Sequence, residues 1–445
     1  MKRLILSLTT VILSLATWGQ QAGDKFVIKT TEAVKKTEWS LAGDDAFSDI
    51  SIIKHNGDKL ELFAKGYENM GAWATYDLNQ IESITFTVFH KGDYQEESAA
   101  QAVKNMGLGT CFGNCMDAVD INKTMEKNSV TDFEKCWGQE PTTKPMVDFL
   151  KKNGFNSVRI AVTWFQHMKE DGTVDAAWMD RVQEIVDYVI DNGMYCILNV
   201  HHDTGADPDD KSYTHWIKAD LDNYNANKTK FEYLWTQIAN RFKSYDQHLV
   251  FEGYNEMLDA NNTWNAPKNA NSYKGLNGYA QSFVNAVRAT GGNNETRNLI
   301  VNTYAAACGD EVLNNLTIPT DKVSGHIAVE VHTYAPWDWF AKGAWDTSCS
   351  NEIKNMFTRL NNKFICKGIP CIIGEYGTHG SQQVSKKSTT SQIKAAADQA
   401  ADIVKQAKAY GVATFYWMSI FEGTDRTVPQ WTLPTVVEAM KNAYK

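Results

Sequence analysis

At 445 residues the chain has room for two or three ordinary domains, or for one large barrel with an accessory module. Hydrophobic residues make up 43% and charged residues 22%, a globular balance that excludes a disordered, collagen-like or coiled-coil chain. A formal charge of −9 without any basic run argues against a polyanion partner, nucleic acid included. Tryptophan outnumbers proline, 14 to 9, which suggests flat aromatic platforms for a flat polar ligand, although core packing can absorb many of them.

The chain opens with Lys2-Arg3, an apolar run over 4–16 and a small or polar stretch over 17–22. That order of basic end, short apolar core and cleavage region predicts a signal peptide over 1–20. The apolar run is shorter than the about 20 residues a bilayer span requires, and no later charge-free segment approaches that length. The first cysteine is Cys111, so no lipid-modified cysteine follows the signal. The expectation is an exported monomer, periplasmic or extracellular, neither a lipoprotein nor inserted in a membrane. In that setting eight cysteines leave disulfides open. Cys196, inside an apolar strand, reads as a buried thiol, and Cys366 with Cys371 could bridge.

Residues 23–92 carry short alternating runs at 26–30, 49–53, 60–64 and 84–89, with an Asn56-Gly57 turn signal between two of them. They predict a small β-rich module. A structural cap is the favoured reading, and sugar binding through Trp39, Trp73 or Tyr76 the alternative. A polar, helix-prone stretch over 92–101 leads onward.

From residue 100 to 445 the pattern changes to strand, loop, helix, repeated. Apolar runs fall at 106–112, 156–162, 195–201, 248–254, 298–303, 327–333, 370–374 and 413–418, with helical periodicity over 176–192, 231–245, 273–290 and 391–410. Eight such runs alternating with helices predict an α/β fold, a (β/α)8 TIM barrel preceded by the β-rich module. An open doubly wound sheet is the rival, but no glycine-rich phosphate loop follows the first strand, and neither CxxC pairs nor HExxH occur. No cofactor and no metal is expected.

In such a barrel the site is built at the carboxyl ends of the strands. Polar residues crowd those ends: Arg159 in NSVRIAVTW, His201 and His202 in CILNVHHD, Asn255 and Glu256 in LVFEGYNEM, His332, Tyr334 and Trp337 in VEVHTYAPW, Glu375 in CIIGEYG and Trp417 in TFYWMS. Glu256 and Glu375 would face each other across one mouth. Two such carboxylates, one protonated and one ionised, are what cleavage of a glycosidic bond through an oxocarbenium-like transition state requires. Arg159 near the nucleophilic one of the two would keep it ionised. Strand parity points His201 inward and leaves His202 on the upper rim. The same parity puts Glu252, Tyr254 and Glu256 on one face, with Glu252 below the mouth as a partner for a basic residue.

The stretch WGQEPTTKPMVDFLKKNGFNSVRIAVTW (137–164), followed in order by NVHHD, GYNEM, VHTYAPW, IGEYG and FYWM, resembles glycoside hydrolase family 5. The GTCFGNCMDA opening (109–118) and the WG-x-x-PTT segment are most similar to its subfamily 4. The resemblance implies that Glu256 is the general acid/base and Glu375 the nucleophile of a retaining enzyme. It implies that Asn255 binds the sugar 2-OH, Tyr334 donates to Glu375, His332 steadies the acid/base side and Trp417 stacks beneath the sugar. Arg159, His201, His202, Asn114 and Trp337 complete the expected substrate-binding set. Two departures fall in the first loops: Gln139-Glu140 stands where Asn-Pro is usual, and Cys115 where Ser or Thr is common.

The implied activity is a secreted endo-β-1,4-glucanase acting on cellulose-like, mixed-linkage or xyloglucan chains. A xyloglucan-specific enzyme is the alternative, and a mannanase or xylanase of the same fold a further one. A glycan-binding protein on an inactive barrel would lack one of the two glutamates, and neither is missing.

Overall fold

The computed structural model describes residues 94–445 apart from 121–128, 210–212 and 379–382, together with strands and a few neighbouring residues between 4 and 87. Two compact units divide the chain, 1–94 and 95–445.

The first unit is antiparallel throughout its described strands. Leu4–Ile5, Ile81–Thr87, Lys25–Thr30 and Asp44–Phe47 lie side by side in that order, Ile50–Asn56, Lys59–Ala64 and Ala74–Asp77 form a second sheet, and Val34–Lys36 pairs with Trp39–Leu41. Asn56 pairs with Lys59, so a two-residue connection sits at the Asn-Gly signal. Tyr76 is buried beside Leu60 and Leu62 in sequence register, which removes it as a surface platform for sugar. The side chains of Trp39 and Trp73 lie outside the described residues, as does the expected signal segment 1–20 except for the backbone of Leu4–Ile5.

The second unit begins with helix α1 (Ala99–Met106), capped by the Ser98 hydroxyl. It starts seven residues later than the helix-prone stretch over 92–101, because the serine cap, not the polar run, sets its first turn. Eight parallel strands then close a barrel in sequence order: β1 (Leu108–Phe112), β2 (Ser157–Ile160), β3 (Tyr195–Asn199), β4 (Leu249–Glu252), β5 (Leu299–Asn302), β6 (Ile327–Thr333), β7 (Cys371–Tyr376) and β8 (Ala413–Tyr416). Every strand residue is buried, as strands covered on both faces must be. Between them run α2 (Lys144–Lys152), α3 (Ala176–Ile190), α4 (Leu221–Arg241), α5 (Ala270–Ala289), α6 (Asp310–Asn315), α7 (Trp339–Lys342), α8 (Thr347–Lys363), α9 (Thr390–Tyr410) and α10 (Pro434–Tyr444). Helix α4 starts ten residues before the predicted 231, since Asp220 caps it by accepting from the Asp222 and Asn223 amides.

Strand alternation divides the interior into two layers. Outward residues such as Cys196, Leu198, Phe251, Val329 and Val331 pack on the helices. Inward residues Ile197, Val250, Ile300, Ala328 and Ile372 meet Ala99, Ala102, Val103 and Met106 of α1, which plugs the amino-terminal end of the barrel. Above that apolar plug the inward positions turn polar. On β6 they read Ala328, Glu330, His332; on β3, Ile197 then Asn199; on β2, Arg159. The barrel is thus dry at one end and charged at the other.

No helix among the described residues is long and apolar enough to cross a membrane. All eight cysteines are free thiols. Cys371 is buried on β7 while Cys366 is exposed on the preceding turn, so that pair does not bridge.

Helices α4 and α5 lie against each other at Gly275, where an added Cβ would come within 2.4 Å of the Asp220 backbone. Alanine is the better helix former by about 0.5–1 kcal/mol, yet overpacking costs about 1–3 kcal/mol. Gly275→Ala should therefore lower stability in urea denaturation; a stabilised variant would show that the helices are free to separate.

Candidate active site

Arg159 rises from β2 into the centre of the barrel, fully buried, and organises the floor of the site. Its Nε and Nη2 donate to the two oxygens of Glu252 at 2.7 and 2.8 Å, Nη2 also to Asn255 Oδ1 at 2.8 Å, and Nη1 to Glu375 Oε1 at 2.8 Å. Its Nε also lies 3.2 Å from Glu330 Oε1. Burial alone would favour the neutral guanidine, but the charges of Glu252, Glu330 and Glu375 outweigh it and push the guanidinium pKa above its ordinary value. Glu252 is the below-mouth partner of a basic residue that parity expected. Asn199 and Asn302 add donors to its Oε1, while burial pushes its carboxyl up to about 7.

Glu375 owes its inward aim to a bulge. Val331 pairs with Ile373 and His332 with Glu375, so Gly374 is an extra residue on β7. Regular alternation would have turned Glu375 outward with Cys371 and Ile373; the inserted residue turns it in. Gly374 is also the one residue type that fits, because a Cβ there would sit 1.9 Å from Glu330 Oε1. With Arg159 on Oε1 and the Tyr334 hydroxyl donating to Oε2 at 2.6 Å, both oxygens of Glu375 are held. Burial raises its pKa, opposed chiefly by His332 and Arg159, while the Glu256 charge adds to the rise.

Glu256 lies four residues past the end of β4 and is more open, with a fifth of its side chain exposed against 6% for Glu375. Tyr254 does not share its face. β4 ends at Glu252, beyond which the chain leaves the pleat, and Tyr254 packs outside the barrel with its hydroxyl donating to the Asn302 carbonyl. His332 joins the two carboxylates: its Nδ1 is 2.8 Å from Glu256 Oε1 and 3.6 Å from Glu375 Oε2. One oxygen of Glu256 and one of Glu375 approach within 4.8 Å of each other and of this ring. The Nε2 of His332 is 3.2 Å from Glu330 Oε1. Against the cost of burial, Glu375, Glu256 and Glu330 push its pKa up to about 10.

The remaining predicted residues divide. His201 is buried, its Nε2 3.9 Å from Glu375 Oε1 and its ring 5.7 Å from and nearly parallel to Trp417. His202 sits on the rim, edge-on to His201 and 5.2 Å from the Trp137 ring. Asn255 turns its Oδ1 to Arg159, which leaves its amide nitrogen for the cleft. Trp337 stands 6.5 Å from the Tyr334 ring and 60% exposed. Asn114, two residues past β1 with φ 57°, takes no part in the network around Arg159. Sequence reasoning missed Glu330, Trp137 and Asp117; the signal for Glu330 was a charged residue two before His332 inside an otherwise apolar strand.

Two clusters bring three metal-ligand types together, Asp117 with His201 and His202, and Glu256 with His332 and Glu375. Tautomers argue against both. The Val162 amide donates to Asn199 Oδ1, so Asn199 Nδ2 donates to His201 Nδ1, and the His201 Nε2 must carry its proton. Burial, with the charges of His202, Arg159 and His332, keeps that ring neutral. Glu375, Glu256 and Glu330 raise the pKa of the His332 ring, which favours a proton over a cation on its nitrogens.

A parallel barrel with two facing carboxylates at its carboxyl mouth, one clamped and one open, defines a hydrolase of glycosidic bonds. The family model described as Cellulase (glycosyl hydrolase family 5) matches residues 119–423, and the chain belongs to that family. Endoglucanase 1 of Ruminococcus albus is 33% identical over 384 residues, 82% of this chain and 86% of that protein. The crystal structure of a family 5 enzyme from Prevotella bryantii B14 is 57% identical, covering 80% of this chain and all of that one, with a TM-score of 0.75. A subfamily 4 broad-specificity endoglucanase from an uncultured bacterium is 44% identical, covering 79% and 96%, at a TM-score of 0.72.

His332 titrates in the unfolded chain near 6.5 and in the folded protein near 10. Its contribution to stability is complete below pH 6.5 and is lost as pH rises toward 10. The gap in melting temperature between the native protein and His332→Gln should be widest at acid pH and close across that window. A gap that widens with pH would mean the ring is buried neutral.

Proposed function

We propose that the chain is an exported, retaining endo-β-1,4-glucanase, with Glu375 as nucleophile and Glu256 as acid/base, acting on cellulose-like, mixed-linkage or xyloglucan chains. One observation carries this reading: the two carboxylates approach within 4.8 Å, close to the about 5–5.5 Å of double displacement and short of the about 6.5–9.5 Å that admits a water for inversion. The assignment of roles follows from their surroundings. Glu375 has a donor on each oxygen and a fixed direction, as an attacking carboxylate needs. Glu256 reaches solvent and has one oxygen free of His332 to exchange a proton with the leaving group and then with water.

Glu375 attacks the anomeric carbon as Glu256 protonates the departing oxygen; water, deprotonated by Glu256, then releases the sugar from the Glu375 ester. Asn255, oriented by Arg159, would donate to the 2-OH, a contact that strengthens as charge develops on the ring. Trp417 and His201 would offer parallel faces to the sugar at the cleavage point, and Trp337 a platform beyond it. Export is supported by the signal-like residues 1–20.

A xyloglucan preference is the second reading. It is favoured by the 57% identical Prevotella bryantii enzyme, a variant of which was crystallised with the xyloglucan tetradecasaccharide XXXGXXXG.

Glu375→Ala should abolish turnover by several orders of magnitude while leaving polysaccharide binding. Glu256→Gln should impair natural glucans far more than an aryl glycoside whose leaving group needs no proton. Products on carboxymethyl cellulose, barley β-glucan, tamarind xyloglucan, xylan and mannan, measured side by side, would rank the substrates. Unchanged hydrolysis by Glu375→Ala, or cleavage of mannan or xylan alone, would overturn the reading.

A further inference from the structure

Glu330 takes no part in the chemistry above, yet it is fully buried directly beneath it. Its Oε1 is 3.2 Å from both His332 Nε2 and Arg159 Nε, so one oxygen ties the residue on the acid/base side to the residue that clamps the nucleophile. Its Oε1 faces the Arg159 guanidinium and the His332 ring nitrogen and can only accept there, while Oε2 is buried without a partner. The space it needs exists because residue 374 is glycine.

The Glu330 oxygen beneath the ring restricts what His332 can be. A neutral ring protonated on Nδ1 would set its Nε2 lone pair against the Glu330 oxygen. A neutral ring protonated on Nε2 would offer a lone pair at Nδ1, 2.8 Å from Glu256, and draw the acid proton away from the glycosidic oxygen. Only the doubly protonated ring satisfies Glu330 below and the carboxylate pair above. We propose that Glu330 is a positioning residue that keeps His332 an imidazolium, so that its single Nδ1–H serves Glu375 and Glu256 in turn as negative charge passes between them.

This rests on the double-displacement reading. In the first step the Glu375–carbon bond forms, the bond to the leaving oxygen breaks and the Glu256 proton goes to that oxygen. The charge thereby moves from Glu375, 3.6 Å from Nδ1, to Glu256, 2.8 Å from it. The second step reverses the movement, and His332 neither gains nor loses a proton in either. The charged and titratable groups around the ring are Glu330 on β6, Glu252 and Glu256 on and after β4, Glu375 on β7, Arg159 on β2, His201 after β3 and Tyr334 after β6. Glu330 is the member of this set that takes no part in the proton and charge movements and faces Nε2 directly.

The test is the ring ¹⁵N spectrum of histidine-labelled protein from pH 5 to 8, with His332 assigned through His332→Gln, beside the pH profile of kcat and KM on barley β-glucan. In the native protein both His332 nitrogens should stay protonated across the range. In Glu330→Gln the ring should lose a proton within it, and the basic limb of kcat should fall by about one pH unit, a tenfold loss at the old limb, with KM within twofold. A purely structural role would lower kcat equally at every pH. A native His332 that deprotonates below pH 8, or a Glu330→Gln limb that does not move, overturns the proposal. Should the variant fail to fold, the native spectrum still decides it. Absence of turnover on every glucan would defeat the functional reading while the spectrum continued to report the ring's charge.

Discussion

The whole mouth of the barrel hangs on one buried cation. Arg159 has no contact with solvent; it donates four hydrogen bonds, to Glu252, Asn255 and Glu375, and pairs with Glu330 at 3.2 Å. Placing an ion at that depth is costly unless it is paired and fully hydrogen-bonded, and removing one partner of such a pair destabilises by about 3–5 kcal/mol because it leaves the other charge unpaired. The network thus has little room to vary one member at a time. What it supplies in return is direction: a planar fork fixes the angles between three acidic side chains and an amide that come from three different strands or their ends.

Much of that was legible in the chain, and the limits of legibility have physical causes. The eight strands, the inward aim of Arg159 and His201, and Glu252 as a buried partner all follow from apolar runs and period-two alternation, and they hold wherever a strand is regular. They fail where the pleat stops. Tyr254 lies beyond the end of β4 and turns outward; Glu375 does face the mouth as expected, but through the insertion of Gly374 into β7 and not through alternation. A bulge leaves no signature that alternation can read, since its effect is to break alternation. Glu330 escaped notice for the opposite reason: it obeys parity, but its purpose depends on two residues from other elements, Arg159 and His332. The helix starts at Ala99 and Leu221 were misplaced because a single capping side chain outweighs the apolar periodicity that follows it.

The two departures from the subfamily pattern turn out to be one. Cys115 Sγ lies within hydrogen-bonding reach of Glu134 and Thr142, and Arg426 Nη2 reaches both that sulfur and the Thr142 hydroxyl. Gln139 Oε1 accepts from Arg426 Nη1 and the Gly423 amide. Residues 115, 134–142 and 423–426 therefore form a single buried polar cluster that joins the loop after β1, the WG-x-x-PTT segment and the loop after β8. A glutamine at 139 can accept from the arginine where a smaller side chain would fall short, and a thiol at 115 fills the space beside it. Burial and the nearby Glu134 carboxylate push that thiol up to about 12, so it is inert at neutral pH.

Two identical side chains acquire different chemistry here through their partners, not through their own structure. Glu256 takes the Nδ1–H of His332 at 2.8 Å and Glu375 lies 3.6 Å from the same nitrogen, so the two carboxylates compete for one positive centre. A site in which both were equally clamped would resist moving charge between them, and one in which neither was clamped would leave the nucleophile undirected. The asymmetry resolves this. Of the two glutamates, Arg159 and Tyr334 contact only Glu375, so in the double-displacement reading proposed above they hold it in place while the imidazolium faces whichever carboxylate carries the charge. Fixed donors set geometry, and the shared donor lowers the cost of transfer, which is the division of labour that preorganised electrostatics calls for when the same pocket must stabilise two charge distributions in succession.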